Sequence, residues 1–345
     1  MRTSWVCKLI GCISLLWLLV GCQDMIGEMV NSEPEDVRNI NITLVAKSSS
    51  NPVFLSARVG AEAAAKSLSE KYRKINVDID WRTPKMEDPK EQAERIINAV
   101  NDGTDAIIVA CSDVATITPA INTAVDSGVP VMTFDSDAPD SKRFAFYGPN
   151  DVEIGENVMD ELATLMGKKG KVAILAGNQS APNLQKRVSG VKNASSEYPD
   201  IEIVGVFQHV ETAEDAAAEV IRVNALYPDL KGWAMVGGWP LFNETLLDKI
   251  DPGKIKIVAV DALPVQLPYV EKGIVPVLLA QPTFKWGKIS VEKVIDKIHL
   301  GKDVPEMNEM QLIRVSKDNL GGWARQLKAW GYKDVPVKYL TYVAE

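Results

Sequence analysis

The sequence predicts two similar α/β lobes, each a doubly wound parallel sheet with helices on both faces. Three observations carry this expectation. From Asn39 onward, short apolar runs alternate with longer amphipathic ones. The run Ala106–Ala110 (AIIVA) is continuously apolar, as a strand buried on both faces must be. The alternation then restarts after Asn150, which implies a second unit of similar size.

The elements follow in order. Ile40–Val45 reads as a strand, and Val53–Tyr72, with its AEAAAK stretch, as a helix. Asn76–Trp81 alternates as a strand does, and Pro89–Val100 has helical spacing at Ala93, Ile96, Ile97 and Val100. Ala106–Ala110 is a strand, Ile117–Val125 a helix, and Val131–Phe134 a strand. The second unit opens with helix Asn150–Met166, strand Lys171–Ala176, helix Asn183–Glu197 and strand Ile201–Phe207. Helix Thr212–Leu226, strand Trp233–Val236, helix Leu241–Ile250 and strand Ile255–Val260 come next. Helix Val265–Lys272, strand Val277–Ala280 and helix Trp286–Leu300 complete it. Gln311–Val315 reads as a last strand and Asn319–Trp330 as a short helix whose Trp323, Leu327 and Trp330 share a packing face. A short crossing near Gly148-Pro149-Asn150, with no Ser/Gly-rich linker, couples the two units.

The amino terminus sets the expected compartment. Arg2 and Lys8 precede an apolar run from Leu9 to Val20. That run is shorter than the roughly 20 residues of a membrane-spanning helix and fits a secretory signal. It ends in Leu19-Val20-Gly21-Cys22, which resembles a bacterial lipobox. The resemblance implies removal of residues 1–21 and diacylation of Cys22. Residues 22–38 are polar and acidic, a composition suited to a flexible tether. Gln23 stands where aspartate would mark inner-membrane retention in a Gram-negative host. The expected location is the bacterial cell envelope, lipid-anchored, on the periplasmic or other extracytoplasmic face.

Of the four cysteines, Cys7 and Cys12 fall in the signal and Cys22 at the lipidation site, which leaves Cys111 without a disulfide partner. The fold must therefore rest on its core, and about 320 residues suffice for two medium domains. The net charge of -8 argues against nucleic acid as a partner.

Open parallel sheets bind ligands beyond the carboxyl ends of their strands. In the first unit those ends carry Ser48-Ser49-Ser50-Asn51, Cys111-Ser112-Asp113 and Asp135-Ser136-Asp137. In the second they carry Gly177–Ser180, His209–Thr212, Gly237-Gly238-Trp239, Asp261-Ala262 and Gln281, with Arg187 on a nearby helix. A polyol needs such acids, amides and guanidinium, because each hydroxyl both donates and accepts. Phe54 and Trp239 can cover the C–H faces of a ring. Each residue also has a structural reading. Asn51 can be a helix cap, Arg187 a helix-surface ion pair, Trp239 a core residue and Cys111 a small buried residue beside the cleft. His209 and His299 read as structural or surface residues.

Five segments in order resemble periplasmic sugar-binding proteins of the ribose-binding type. They are Ser50-Asn51-Pro52-Val53-Phe54, Val129–Asp137, Tyr147-Gly148-Pro149-Asn150, Val258-Ala259-Val260-Asp261 and Ala280-Gln281-Pro282. The resemblance spans nearly all of 39–315. It implies a type I periplasmic binding protein whose lobes are joined by a three-segment hinge. The lobes would be residues 39–148 plus 282–308 and residues 149–281 plus 309–345. It implies that Asn51 and Asp135 bind hydroxyls from the first lobe, that Arg187, Asp261 and Gln281 do so from the second lobe and hinge, and that Phe54 stacks on the ring. The sequence departs from the family at Val53, at Ser136 where ribose binders carry arginine, and at Cys111 where they carry asparagine. Gly237-Gly238-Trp239 also replaces an Asn-Asp pair. The candidate ligand-binding set is Asn51, Phe54, Cys111, Asp135, Ser136, Arg187, Trp239, Asp261 and Gln281.

The implied function is capture of a sugar or polyol by lobe closure for an ABC transporter permease, by a monomer with no cofactor and no bound metal. A receptor feeding a chemoreceptor or sensor kinase would bind the same ligand. A carbohydrate-active enzyme is the weaker alternative, because the chain lacks G-x-S-x-G, G-x-x-x-x-G-K-[ST] and H-E-x-x-H. Asp135, Asp137 and Asp140 do not form a calcium loop of the EF-hand kind, since Asp140 takes its glycine position. A repressor of the same fold would need a DNA-binding head where the signal stands.

Overall fold

The computed structural model describes residues 37–343. The signal-like segment, Cys22 and nearly all of the tether lie outside the described residues.

The first lobe is built from β1 (Arg38–Val45), α1 (Pro52–Lys71), β2 (Ile75–Trp81), α2 (Pro89–Asn101), β3 (Ala106–Val109), α3 (Val114–Asp126), β4 (Val131–Phe134) and β5 (Ala145–Gly148). The second continues with α4 (Asp151–Met166), β6 (Gly170–Ala176), α5 (Pro182–Ser195), β7 (Ile201–Gln208), α6 (Ala213–Leu226), β8 (Leu230–Met235), β9 (Lys256–Val260), α7 (Leu267–Lys272) and β10 (Val277–Ala280). The chain then returns to the first lobe through α8 (Thr283–Ile298) and β11 (Met307–Glu309). It ends on the second with β12 (Ile313–Val315), α9 (Leu320–Ala329) and α10 (Val337–Leu340).

The first sheet runs β11-β5-β4-β3-β1-β2 and the second β12-β10-β9-β8-β6-β7. The spatial order is the same in both. Every neighbouring pair is parallel except the β10–β12 edge. Strands β3, β4 and β10 are buried along their whole length, which explains their unbroken apolar sequences. The chain crosses between the sheets at 148–151, 280–283 and 309–313.

Caps set the helix starts beside the cleft. Asn51 accepts a hydrogen bond from the Val53 amide ahead of Pro52, and Asp88 accepts from the Lys90 and Glu91 amides ahead of Pro89. One expected helix does not form. Leu241–Ile250 is a 3-10 turn at Trp239–Leu241 followed by irregular turns. The Tyr269 hydroxyl donates to the Asn243 carbonyl at 2.6 Å and accepts from the Leu247 amide at 3.3 Å. It thus inserts itself into the very bond that an α-helix would make between those two residues. Strands β5 and β11 are too short to show a period in the sequence; β5 is recognised by its pairing with β4 and β11.

Close helix pairs lock each lobe in the same way. A Cβ on Gly60 of α1 would lie 1.9 Å from the Phe284 carbonyl oxygen of α8, and one on Gly287 would lie 1.8 Å from that of Ala57. In the second lobe, a Cβ on Gly155 of α4 would lie 1.9 Å from the Arg187 carbonyl oxygen of α5, and one on Gly190 would lie 2.0 Å from that of Val152. These contacts leave no room for a side chain. The terminal tryptophans pack, as their spacing predicts. The Trp323 indole donates to the Ala262 carbonyl at 2.6 Å, and Trp330 stacks on Phe284 with ring centroids 5.6 Å apart. Gly155→Ala should therefore cost about 1–3 kcal/mol of stability, the scale of overpacking. A denaturant melt checks this, and a variant as stable as the parent would show that the α4–α5 contact yields freely.

Candidate functional site

Two aspartates mark the site through their backbones. Asp135 follows β4 with φ 58° and Asp261 follows β9 with φ 72°, in the left-handed region that aspartate tolerates better than most residues. Their amides are held alike: the Asp135 amide donates to the Tyr147 carbonyl of β5, and the Asp261 amide donates to the Leu279 carbonyl of β10. The two lobes thus present equivalent carboxylates from equivalent strand ends.

Around Asp261 lies a buried network. Arg187 of α5 donates through Nε to Asp151 Oδ1 at 2.9 Å, through one terminal nitrogen to the Val236 carbonyl at 3.1 Å, and through the other to Gln281 Oε1 at 3.0 Å. Gln281 Nε2 donates to Asp261 Oδ1 at 2.8 Å. Gln281 sits on a crossing segment, so the network ties the second lobe to the joint between lobes. Around Asp135 the partner is Lys47, which follows β1. Its ammonium lies 3.5 Å from Asp135 Oδ2 and donates to Asn183 Oδ1 of the opposite lobe at 3.1 Å. A second contact between lobes runs from Asn178 Nδ2 to Glu87 Oε1 at 3.2 Å.

These groups enclose a small inner cavity of about 40 Å³, with Phe54, Trp239, Phe242 and Trp286 as its aromatic walls. It has room for a few waters and is far below the roughly 300 Å³ at which ligand pockets begin. A sugar ring can enter only if the lobes separate. The Phe54 and Trp286 rings stack at 6.0 Å, and Trp239 donates to Glu211 Oε2 at 3.2 Å. An outer chamber of about 480 Å³ adjoins it, sharing Asn51, Phe54 and Glu211 as walls.

Seven of the nine sequence candidates line the inner cavity: Asn51, Phe54, Asp135, Arg187, Trp239, Asp261 and Gln281. Cys111 and Ser136 do not. Cys111 packs in the apolar cluster of Val45, Ile107, Val109 and Ala138. Its thiol is driven far above its ordinary range, by burial first and then by Asp137. Ser136 follows Asp135 in a tight turn, in which its amide bonds to the Phe134 carbonyl and its own carbonyl accepts from the Cys111 amide. Consecutive residues there face different ways, so Ser136 is buried off the cavity wall. Lys47, Asp151, Asn183, Glu87, Glu211 and Trp286 were not foreseen as site residues. Lys47 lies one residue before the polar strand-end stretch Ser48-Ser49-Ser50-Asn51. Asp151 and Asn183 sit in the first turns of α4 and α5, and only the fold brings them to the site.

The comparisons with known proteins agree with this architecture. Residues 42–303 match the periplasmic binding protein domain. The chain belongs to that family. A ribose import binding protein of Bacillus subtilis is 29% identical over 160 residues, covering 46% of this chain and 50% of that protein. A xylitol-binding protein of Mycolicibacterium smegmatis is 25% identical over 169 residues, covering 49% of this chain and 45% of that one. The chain thus matches about half the length of these curated relatives. Among solved structures, a glucose-galactose binding protein of Geobacillus stearothermophilus superposes with TM-score 0.75 at 26% identity, covering 82% of this chain and 99% of that chain. An ABC transporter solute-binding protein of Actinobacillus succinogenes with bound D-allose gives TM-score 0.71 at 26% identity, covering 81% and 98%.

Burial raises Asp151 and Asp261 to about 6, and Arg187 pulls against that rise in both cases. Their folded values exceed the ordinary 3.8, so between about pH 4 and 6 the folded chain holds protons that the unfolded chain has released. The stability from this source is complete below about pH 4 and is lost as pH rises through about 6. The Asp151→Asn, Asp261→Asn double variant should therefore show a flatter melting temperature between pH 4 and 7 than the parent. Parallel curves would mean that neither carboxyl is desolvated as described.

Proposed function

We propose that this chain captures a sugar or related polyol by closing its lobes and hands it to an ABC transporter permease. One observation carries the reading: hydrogen-bonding side chains from both lobes and a crossing segment converge on one buried slot. Asn51 and Asp135 come from the first lobe, Arg187 and Asp261 from the second, and Gln281 from the crossing. Such a set fits vicinal hydroxyls, which both donate and accept. Among the described residues, three of the five guanidinium N–H groups of Arg187 have protein partners, which leaves donors for an occupant.

Closure follows from contact with both halves. An occupant bridging Asp135 and Arg187 binds the closed arrangement better than the open one and so shifts the population toward it. Phe54 and Trp239 then cover the apolar face of the ring. The chemistry is binding and release, with no bond made or broken. The lipobox-like Cys22 would supply the anchor, and the family's sugar- and polyol-binding relatives support an extracytoplasmic binding protein.

A titration of intrinsic tryptophan fluorescence with pentoses, hexoses and polyols tests this. A saturable change is expected with at least one, because Trp239 and Trp286 line the slot. Asp135→Ala and Arg187→Ala should each weaken binding on the order of 100-fold, from the about 2–5 kcal/mol cost of truncating a buried charged pair. Cys111→Ala should change it by less than about threefold, since the thiol is off the wall. A flat response to every member of the panel would overturn the reading.

A further inference from the structure

The charges of the cleft do not balance. Four carboxylates, Asp135, Asp261, Glu87 and Glu211, line the inner cavity and its outer chamber against two cations, Lys47 and Arg187. Arg187 is engaged by Asp151 and, through Gln281, by Asp261. Lys47 is left to answer Asp135, Glu87 and Glu211 together. His209 lines the outer chamber and adds no positive charge. Burial lowers it from 6.5, so the ring is neutral near pH 7.

We infer that the occupant of this cleft carries a protonated amine, as an amino sugar or amino cyclitol does. The inference rests on the sugar-capture reading above and narrows its ligand class. A neutral polyol brings hydroxyls to the slot and leaves the carboxylate excess uncompensated as the lobes shut. Closing the cleft removes water from Glu87 on one lobe and from Glu211 on the other, and unpaired charge becomes costly as it loses hydration. An ammonium supplies the missing charge and up to three donors. The acids are spread over both lobes, and no group of three among the described residues is arranged to hold a metal ion. A ligand that gives its N–H groups to single acceptors suits that spread.

Two further observations bear on the occupant, the first on its hydroxyls and the second on its charge. Trp286 lines the inner cavity, is 1% exposed, and keeps its indole N–H without a protein partner. A polar group so placed needs an acceptor from an occupant, such as a ring hydroxyl. The cleft also already holds an ammonium in this environment. Lys47 is 5% exposed, and burial alone would lower its pKa, yet Asp135, Glu87 and Glu211 together keep it above the ordinary lysine value. The field here favours a primary ammonium even without water.

Calorimetric titration of the full chain at pH 7 with matched sugars is the test. The series are D-glucosamine, N-acetyl-D-glucosamine and D-glucose, the corresponding galactose and mannose triads, and 1-amino-1-deoxy-D-glucitol beside D-glucitol. At least one amine should bind about tenfold or more tighter than both its neutral parent and its acetylated form, the scale of a charge-assisted hydrogen bond. Glu87→Gln and Glu211→Gln, with folding checked by thermal melt, should each reduce that ratio by about threefold or more. Neutral sugars binding as tightly as their amines would overturn the inference and leave sugar capture standing. An amine preference untouched by both substitutions would overturn the role of these acids. Binding of no member from either class would sink sugar capture and the inference with it.

Discussion

The site depends on one buried guanidinium. Arg187 is 3% exposed and is surrounded by a carboxylate, a carbonyl and an amide that take its N–H groups in fixed directions. Burying a charge is tolerable only where hydrogen bonds replace water. That requirement fixes the geometry of three separate pieces of chain. Asp151 opens α4, Val236 ends the segment after β8, and Gln281 lies on a crossing between lobes. The backbone of Arg187 is held in turn by the close approach of α4 at Gly155. Packing and electrostatics therefore specify the same position independently, which keeps the second lobe's half of the cleft rigid.

The first lobe solves the same problem with the same parts. The strand order repeats, the glycine-mediated helix pair repeats, and a left-handed aspartate recurs after the corresponding strand. The repetition explains why two rigid halves can meet face to face. It is incomplete where it bears on ligand choice. The cation beside Asp261 is a guanidinium engaged within its own lobe, whereas the cation beside Asp135 is a flexible ammonium that reaches across to Asn183. A lysine can withdraw from that contact more easily than the forked arginine can leave its network. Lys47 thus joins the lobes through a single hydrogen bond to Asn183.

Much of the fold was legible in the sequence because buried parallel strands cannot hide their apolar runs. The site was legible where the rule for strand ends applied. Asp135, Asp261 and Gln281 follow strands, and Asn51 follows one closely. The misreadings have local causes. Cys111 and Ser136 obey the same rule, but direction at a strand end is set by the turn that follows, which composition does not encode. The helix expected at 241–250 has a helical pattern, yet a tyrosine hydroxyl from α7 supplies the competing hydrogen bonds. Lys47 stands just ahead of the polar stretch after β1 and carries no local signal of a site role. Only the tertiary fold reveals that Asp135, Glu87 and Glu211 gather around it.

Those gathered acids give the cleft its character. Carboxylates that hydrogen-bond hydroxyls need no counter-charge while water reaches them, so an open cleft tolerates the excess. Closure changes the balance, because each lobe brings an acid toward the other and expels the screening solvent. Lys47 bridges the lobes to Asn183, and Asn178 does the same with a neutral amide at Glu87. The energy of shutting is therefore sensitive to the charge of whatever lies between the halves. On the proposed reading, such a cleft discriminates at the step of closure rather than at first encounter: many polar molecules can touch one lobe, and one whose charge offsets the acids favours the closed arrangement most.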